Sequence, residues 1–327
     1  MSSGIIRFMY YRVMKVCCRD KYEILEAKME FEKFAGRYCK YANIIPKRDI
    51  VHVCTELRIL THVIEKGLTL PRIKRGFGKE KIQDIISLLH LYEQIGDDSC
   101  DREAYENGIK ILKTYASYAD KYQLEIDNIE DKYLQEGNDS DLGVRQIEYH
   151  ESNIQSLSFK KFAESRHSIR GFVDKDISNE QILDIIRLAQ TTPSACNRQD
   201  IKVICVKEPE KVKKLMEIHQ GAKGFGCPSC VMLVVSDLRM YNKYEMSLPY
   251  FDGGLFAMNL IYAIHYYGYG SCPLIWEDSC NGEILREIVD IPDYFMVNVF
   301  IAVGGVSDTP TVAVSKKRNV HDVVKII

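Results

Sequence analysis

The sequence predicts an all-α N-terminal domain followed by an α+β domain whose central, mainly antiparallel sheet is flanked by helices. Three observations carry this. From about Lys21 to Gln135, apolar residues recur at three- and four-residue spacing with few strand-like runs. From Leu157 onward, helical segments alternate with short β-branched runs. Between them the run Gln135–Asp141 (Gln-Glu-Gly-Asn-Asp-Ser-Asp) is polar and turn-rich, which marks a boundary. The domains are therefore placed at 1–145 and 146–327. A chain of 327 residues with 46% hydrophobic and 28% charged content is long enough for two globular domains with their own cores.

Taking the elements in order, the first twenty residues hold Ile5, Ile6, Phe8, Met9, Tyr10 and Tyr11, interrupted by Arg7, Arg12 and Lys15. Those charges exclude a spanning helix or a secretory core, and packing against the rest of the chain is preferred over a basic helix lying on a membrane surface. The first clear helix runs from Ile50 to Ile64, with Val53, Leu57, Leu60 and Ile64 on one face. A second runs from Lys79 to Ile95 on Ile82, Ile85, Ile86 and Leu89. A third runs from Arg102 to Tyr122 on Ile109, Leu112, Tyr115 and Ala119. Gly67 and Pro71 stop the first of these, and the loop Arg72–Gly78 follows. Its three basic residues are read either as an anion site or, preferably, as a solvated turn with Phe77 tucked into the core.

In the second domain Ser178 and Gln181 form a capping box for a helix burying Ile182, Ile185, Ile186 and Ala189. A strand is expected over Ile201–Val206, a polar helix near Glu210–His219, and a strand over Val231–Val235. Asp252 is expected to cap a helix from Gly253 to Tyr267 that is apolar on most sides, and so lies in the core or at a subunit interface.

The chemistry concentrates in two segments. If Glu164–Phe172 is extended, alternate side chains share a face, so Arg166, Ser168 and Arg170 form a row of two guanidinium groups around a hydroxyl. Such a row suits a phosphate at one end and an electron-rich ring at the other. A helix later, the loop Thr192–Gln199 opens with Pro193 and offers Ser194, Asn197 and Gln199 for neutral hydrogen bonds to a heterocycle. A basic row plus an amide loop reads as a cradle for flavin mononucleotide (FMN).

These segments resemble the opening signature of the nitroreductase family, Arg-Arg/His-Ser-x-Arg/Lys, then a helix and Pro-Ser-x-x-Asn-x-Gln. Two further family marks follow in order: Gly268-Tyr-Gly270-Ser-Cys-Pro273-Leu-Ile-Trp276, and Val303-Gly304-Gly305 ahead of Lys316-Lys-Arg318. The resemblance covers roughly residues 157–324, and ordered motifs are far more specific than any one alone. It implies a three-layer FMN-binding fold, a homodimer with active sites between subunits, and two-step electron transfer from NADH or NADPH to an electron-poor small molecule such as a nitroaromatic or quinone. Arg166 and Ser168, with His167 beside them, would hold the phosphate region, joined by Lys316 and Arg318. Arg170 would sit at the pyrimidine edge, stabilising the reduced flavin. Pro193, Ser194, Ala195, Asn197 and Gln199 would belong to the loop that reaches the ring, partly from the partner subunit. Pro273, Leu274, Ile275 and Trp276 would lie along the ring face, with the amide of Ile275 or Trp276 donating to the reactive nitrogen. No protein group beyond the flavin is assigned as catalytic.

The chain departs from the family where Gln199 is followed by Asp200-Ile201 rather than Pro and an aromatic, which is read as a carboxylate near the ring's entrance. The stretch Met240–Tyr250 is read as either pocket wall or dimer core. Two other classes stay open: a specialised flavin enzyme whose helical domain chooses one metabolite, and a flavin-fold binding protein without activity.

A formal net charge of −2 argues against a nucleic-acid partner held by bulk charge. Eleven cysteines, an odd number with no signal peptide recognised, point to the reducing cytoplasm rather than a disulfide framework. Cys227-Pro-Ser-Cys230 lacks the second pair a zinc site needs and runs into an apolar strand, so it is read as structural, and no metal is expected.

Overall fold

The computed structural model describes residues 18–41, 50–95, 102–124, 129–135, 143–149, 154–241, 245–276 and 278–327. The segment before residue 18 and most of the polar boundary run, with the readings attached to them, lie outside the described residues.

Among the described residues, the regular elements of the N-terminal region are all helices: α1 (Arg19–Tyr41), α2 (Ile50–Leu68), α3 (Lys79–Ile95), α4 (Arg102–Ser117), α5 (Ala119–Tyr122) and α6 (Asp131–Gln135). Helices α2, α3 and α4 bury the stripes their periodicity predicts: Val53, Leu57, Leu60 and Ile64, then Ile82, Ile85, Ile86 and Leu89, then Ile109, Leu112 and Tyr115. Gly108 is where the three helices close on one another, since a Cβ there would stand 3.0 Å from Leu89 and 3.3 Å from Leu57. Polar bonds add to the packing: Glu93 of α3 accepts from Tyr105 (2.8 Å), Lys132 (3.1 Å) and Tyr133 (3.0 Å). The predicted helix Arg102–Tyr122 divides at Ser117, whose hydroxyl turns back onto the Thr114 carbonyl at 2.7 Å and offers the backbone an alternative partner.

Strand β1 (Val144–Gln146) opens the second region, followed by α7 (Phe159–Ser165), α8 (Asn179–Ala189), β2 (Ile201–Val206), α9 (Pro209–Ile218), β3 (Cys230–Asp237), α10 (Leu248–Tyr266), β4 (Gly270–Ile275), α11 (Asp278–Val289), β5 (Phe295–Gly304), β6 (Thr311–Ala313) and α12 (Val320–Val323). The main sheet has the order β2-β3-β5-β4 with every neighbour antiparallel. All eight residues of β3 are buried, because both faces of the sheet are covered. Cys230, Met232 and Val234 pack with residues of α8 and α10; Val231, Leu233 and Val235 pack with residues of α9 and α11. That alternation is the period-two signature of a strand between two helical layers.

The Ser178 capping box forms as read: the Ser178 hydroxyl accepts from Gln181 N–H at 3.1 Å, and the Gln181 side chain accepts from Ser178 N–H at 2.9 Å. Helix α10 corrects the sequence reading. It begins at Leu248, with Pro249 in the first turn where a missing N–H costs nothing, so Asp252 lies inside the helix and is not its cap. One side of α10 is core: Phe256, Leu260, Ile261 and Ile264. Its other side exposes Tyr250, Phe251, Leu255 and Met258.

A small second sheet pairs β1 with β6, Val144 opposite Ala313. Beyond β6 the C-terminal tail runs beside the helical region, where Asn319 N–H donates to Glu103 at 3.0 Å and the Ser315 hydroxyl lies 3.4 Å from His62 Nδ1. At the junction, Pro71 touches the position of Gly171, and Leu70 that of Gly224, at 3.5 Å and 3.1 Å from their ideal Cβ positions. The loop after α2 thus rests on the α+β region, while Arg72, Lys74 and Arg75 are exposed.

Candidate functional site

Strand β4 is the edge of the sheet, and the site is built on its free side. Segment 166–170 runs extended beside its start: Ser168 bridges Ser271 in parallel, and Ile169 N–H donates to the Ser271 carbonyl at 2.9 Å. Further along, His219 Nε2 lies 2.9 Å from the Ile275 carbonyl. Backbone N–H and C=O groups of one residue in an antiparallel strand point the same way, so residues 271, 273 and 275 face outward from β5. Pro273 has no N–H to offer, which leaves the Ile275 amide as the donor on this stretch of edge.

His219 holds this edge in place. Gly221 N–H donates to its Nδ1 at 3.1 Å, so Nε2 carries the proton and donates to Ile275. Burial, offset in part by its bonds to the Ile275 carbonyl and nearby backbone, lowers its pKa and keeps the ring neutral.

A cavity of about 490 Å³ opens against this edge. Its lining includes Arg170, His219, Phe225, Cys272 and the run Pro273–Trp276, with His62 and Lys66 entering from α2. Among the described residues, no carboxylate lines it. Arg170 is only 5% exposed, and its Nε finds no hydrogen-bond partner among the described residues; one terminal nitrogen donates to the Ser168 carbonyl at 3.4 Å. A desolvated guanidinium without a counter-ion is costly, and an anionic or electron-rich ligand would satisfy it. The Cys272 thiol beside it does not supply the charge, because burial pushes its pKa up. Ile275, 84% exposed, presents an apolar side chain at the cavity, and Trp276 stacks on Phe300 behind it, ring centroids 4.5 Å apart.

The row Arg166, Ser168, Arg170 is extended as its alternation predicts, yet the two guanidinium groups enter different spaces. Arg166 and His167 line a narrow cleft with Ser165, His265 and Ser271. There His167 Nδ1 donates to the Ser165 carbonyl at 2.9 Å and Nε2 accepts from Arg145 at 3.3 Å, which fixes a neutral ring. Burial, then the charge of Arg166, lowers His265 to about 4; the Ser165 hydroxyl is 2.9 Å from its Nε2. Arg166 itself is shifted down, chiefly by burial.

Of the other expected residues, Pro273, Leu274, Ile275 and Trp276 come together with Arg170. Pro193, Ser194, Ala195 and Gln199 do not. Their loop sits at α10, where Ala195 N–H donates to the Asp252 carboxylate at 3.1 Å and the Ser194 hydroxyl accepts from Gln199 N–H at 2.9 Å. Cys196 and Gln199 hold φ near 53° and 54°, a conformation rare for side-chain-bearing residues. Asn197 ends the short 3₁₀ turn Ala195–Asn197 in this loop. Lys316 and Arg318 are exposed on the tail and line neither cavity.

One expectation is corrected here. Asp200 is 1% exposed and bonded by the Tyr241 hydroxyl, so it is a buried structural carboxylate and not a group at the site's entrance. The described residues of Met240–Tyr250 line neither cavity; Glu245 pairs with Arg198 at 2.5 Å. Cys227 is exposed and Cys230 buried at the start of β3, in line with a structural reading of that pair. Sequence reasoning missed His62, Lys66, His219 and Phe225. Lys66 was visible only as part of the helix stop Glu65-Lys66-Gly67, and nothing local says that α2 reaches the α+β region.

Residues 163–222, which include Arg166, Ser168, Arg170 and the Pro193–Gln199 loop, match the model of the Nitroreductase family. Over that stretch the α+β region is similar to the nitroreductase family. The chain is 29% identical over 145 residues to a protein of Archaeoglobus fulgidus assigned provisionally as an NADH dehydrogenase/NAD(P)H nitroreductase, a match covering 44% of this chain and 83% of that one. It is 31% identical over 81 residues to an FMN reductase [NAD(P)H] of Bacillus subtilis, covering 25% of this chain and 31% of the relative. Among solved structures, a nitroreductase family protein of Streptococcus pneumoniae TIGR4 superposes with a TM-score of 0.46 at 19% identity, over 52% of this chain and all (100%) of the other. Among the described residues, no helix is long and apolar enough to cross a membrane.

Proposed function

We propose that the chain is an FMN-dependent oxidoreductase that takes electrons from NADH or NADPH and delivers them to an electron-poor small molecule such as a nitroaromatic or quinone. The observation that carries this reading is the buried Arg170, its Nε without a partner among the described residues, facing a cavity that no described carboxylate lines, against the outward Ile275 amide. The residues fit the cofactor. A cation belongs at the pyrimidine edge, a backbone donor at the reactive nitrogen, and an apolar wall of Pro273, Leu274 and Phe225 at the ring. FMN, when bound, supplies the bond chemistry by accepting two electrons from the nicotinamide and passing them on.

The protein's own part is positioning and electrostatics. Arg170 holds a fixed positive charge where negative charge develops, in a site of low dielectric where it acts strongly. His219, neutral and singly protonated on Nε2, fixes the carbonyl of Ile275 and with it the direction of the adjacent amide. Arg166, with His167 and Ser168, and the tail residues Lys316 and Arg318 would serve the phosphate end.

The exposed apolar side of α10 supports a homodimer. The Pro193–Gln199 loop, tied to α10 through Asp252, would then be presented to the partner's cofactor. Separate hydrophobic cores support a division into a helical and an α+β domain near the expected boundary, with strand β1 on the α+β side. The free cysteines among the described residues favour the cytoplasm.

The absorption spectrum of the purified protein tests the reading: a yellow protein that releases FMN and bleaches with NADH or NADPH under anaerobic conditions is expected. A colourless protein that no added FMN can reconstitute would defeat it and favour a binding protein without activity. Arg170→Met is expected to weaken FMN binding about a hundredfold, the loss of one charge-assisted contact of about 2–3 kcal/mol. Because the variant also removes an uncompensated buried charge, its thermal midpoint without FMN should not fall. Titration of the apoproteins by flavin fluorescence, with a melting curve beside it, separates the two effects.

A further inference from the structure

Helix α2 belongs to the helical region, yet its last turns form part of the cavity wall. His62 and Lys66, one turn apart, line the same space as Arg170 and Cys272. Leu57, Leu60 and Ile64 bury the opposite side of α2 in the helical core. The Lys66 carbonyl accepts from the Thr69 hydroxyl at 2.8 Å, closing the helix end. The ammonium group of Lys66 makes no hydrogen bond or ion pair among the described residues. Its neighbour Glu65 is buried and turned toward His62, 3.4 Å from Nδ1, and does not line the cavity. Lys66 is therefore a half-buried cation facing a second cation, Arg170. Burial and then Arg170 lower its pKa, while the charge of Cys272 is suppressed by that thiol's own burial. Two like charges share a cavity that no carboxylate among the described residues lines, an arrangement that repels itself until negative charge enters.

We propose that the helical region is part of the cofactor site: Lys66 acts with Arg170 as a second cation at the flavin's pyrimidine edge and favours the reduced cofactor over the oxidised one. This rests on the FMN reading above. In that step a nicotinamide loses a hydride, two electrons and a proton, and becomes positively charged. The flavin gains them, and the extra negative charge falls at the edge the two cations face. Lys66 is a positioning and electrostatic residue here. A merely structural role would alter folding without altering the potential.

The experiment compares wild type, Lys66→Met, which keeps the apolar stem, and Lys66→Arg. FMN affinity is measured by fluorescence titration of the apoprotein, the midpoint potential of bound FMN by equilibration with a reference dye, and folding by thermal melting. Lys66→Met should lose affinity for reduced FMN about tenfold more than for oxidised FMN, which lowers a two-electron midpoint potential by about 30 mV. Lys66→Arg should restore most of that shift at an unchanged melting midpoint. If Lys66→Met does not fold, Lys66→Gln repeats the test. Wild type that binds FMN with affinity and potential unchanged by either neutral variant would overturn this inference alone. An unchanged potential with a raised KM for a carboxylated nitroaromatic would also overturn it and assign Lys66 to the acceptor. Wild type that binds no FMN would overturn the functional reading, and this inference with it.

Discussion

Acidification from about pH 7 to about pH 5 should destabilise the folded protein by about 2 kcal/mol through His265 alone, read as a fall in its urea midpoint. His265 is lowered from 6.5 to about 4, chiefly by burial and next by Arg166. A group whose folded pKa is depressed binds its proton more readily in the unfolded chain. Stability is therefore fully present above the ordinary imidazole value and drains away as pH falls from 6.5 toward about 4. Burial depresses His167 and His219 as well, so they add in the same direction. Asp252 works against them: burial raises its pKa, so its protonation on acidification favours the folded state. A control separates these. His265→Gln keeps a partner for the Ser165 hydroxyl but cannot titrate, so its stability should depend on pH less steeply than wild type, by about 2 kcal/mol over the same interval. Equal slopes for the two proteins would sink the assignment. The cost falls on the cleft beside Arg166, so that cleft should loosen first in acid.

Local physics was legible where one residue's neighbours in sequence are also its neighbours in space. The stripe Ile82, Ile85, Ile86, Leu89 predicts α3 from Lys79 to Ile95, and the structure has that helix and buries all four. Ser178 and Gln181 are three apart and satisfy each other, so that cap could be read directly. The alternation of Arg166, Ser168 and Arg170 gave an extended segment, and the structure lays it beside Ser271 at the start of β4.

The misreadings arose where long-range packing chose among locally acceptable options. Asp252 is a good N-cap residue four positions after a better helix start at Leu248-Pro249, and tertiary contact with Ala195 gives its carboxylate another task. Asp200 looked exposed because charged residues usually are. Burial beneath Tyr241 makes it structural. Lys66 carries no local mark of a site at all. It enters the cavity because Leu70 and Pro71 seat the end of α2 against Gly224 and Gly171, residues some hundred and more positions away in sequence. The helical core could be inferred from periodicity, but its docking could not, since no pattern in one helix names the strand it will meet.

The docking of α2 depends on one glycine, and Gly67→Ala should cost about 3 kcal/mol of stability although alanine is the better helix former. A Cβ at position 67 would lie 1.8 Å from Cζ of Phe77, with two more atoms of that ring at 2.4 Å and 2.6 Å. The ring has nowhere near to go. Tyr115 donates to the Phe77 carbonyl at 2.5 Å, and Gly78 follows with φ +83°, its Cβ position 2.9 Å from Ile64. The loop Arg72–Gly78 therefore closes over the last turn of α2 through Phe77, and its basic residues are the solvated outside of that closure. In a Phe77→Ala background the obstacle is gone. There Gly67→Ala should become stabilising by up to about 1 kcal/mol, the ordinary helical preference for alanine. The sign reversal is the test, because a general disturbance of the helix would cost the same in both backgrounds. Urea midpoints of the four proteins of this cycle measure it, and additive losses would mean that Phe77 does not hold α2. If Lys66 serves the cofactor, Gly67→Ala should also weaken FMN binding in the native background, since the residue beside it is the one that reaches the cavity.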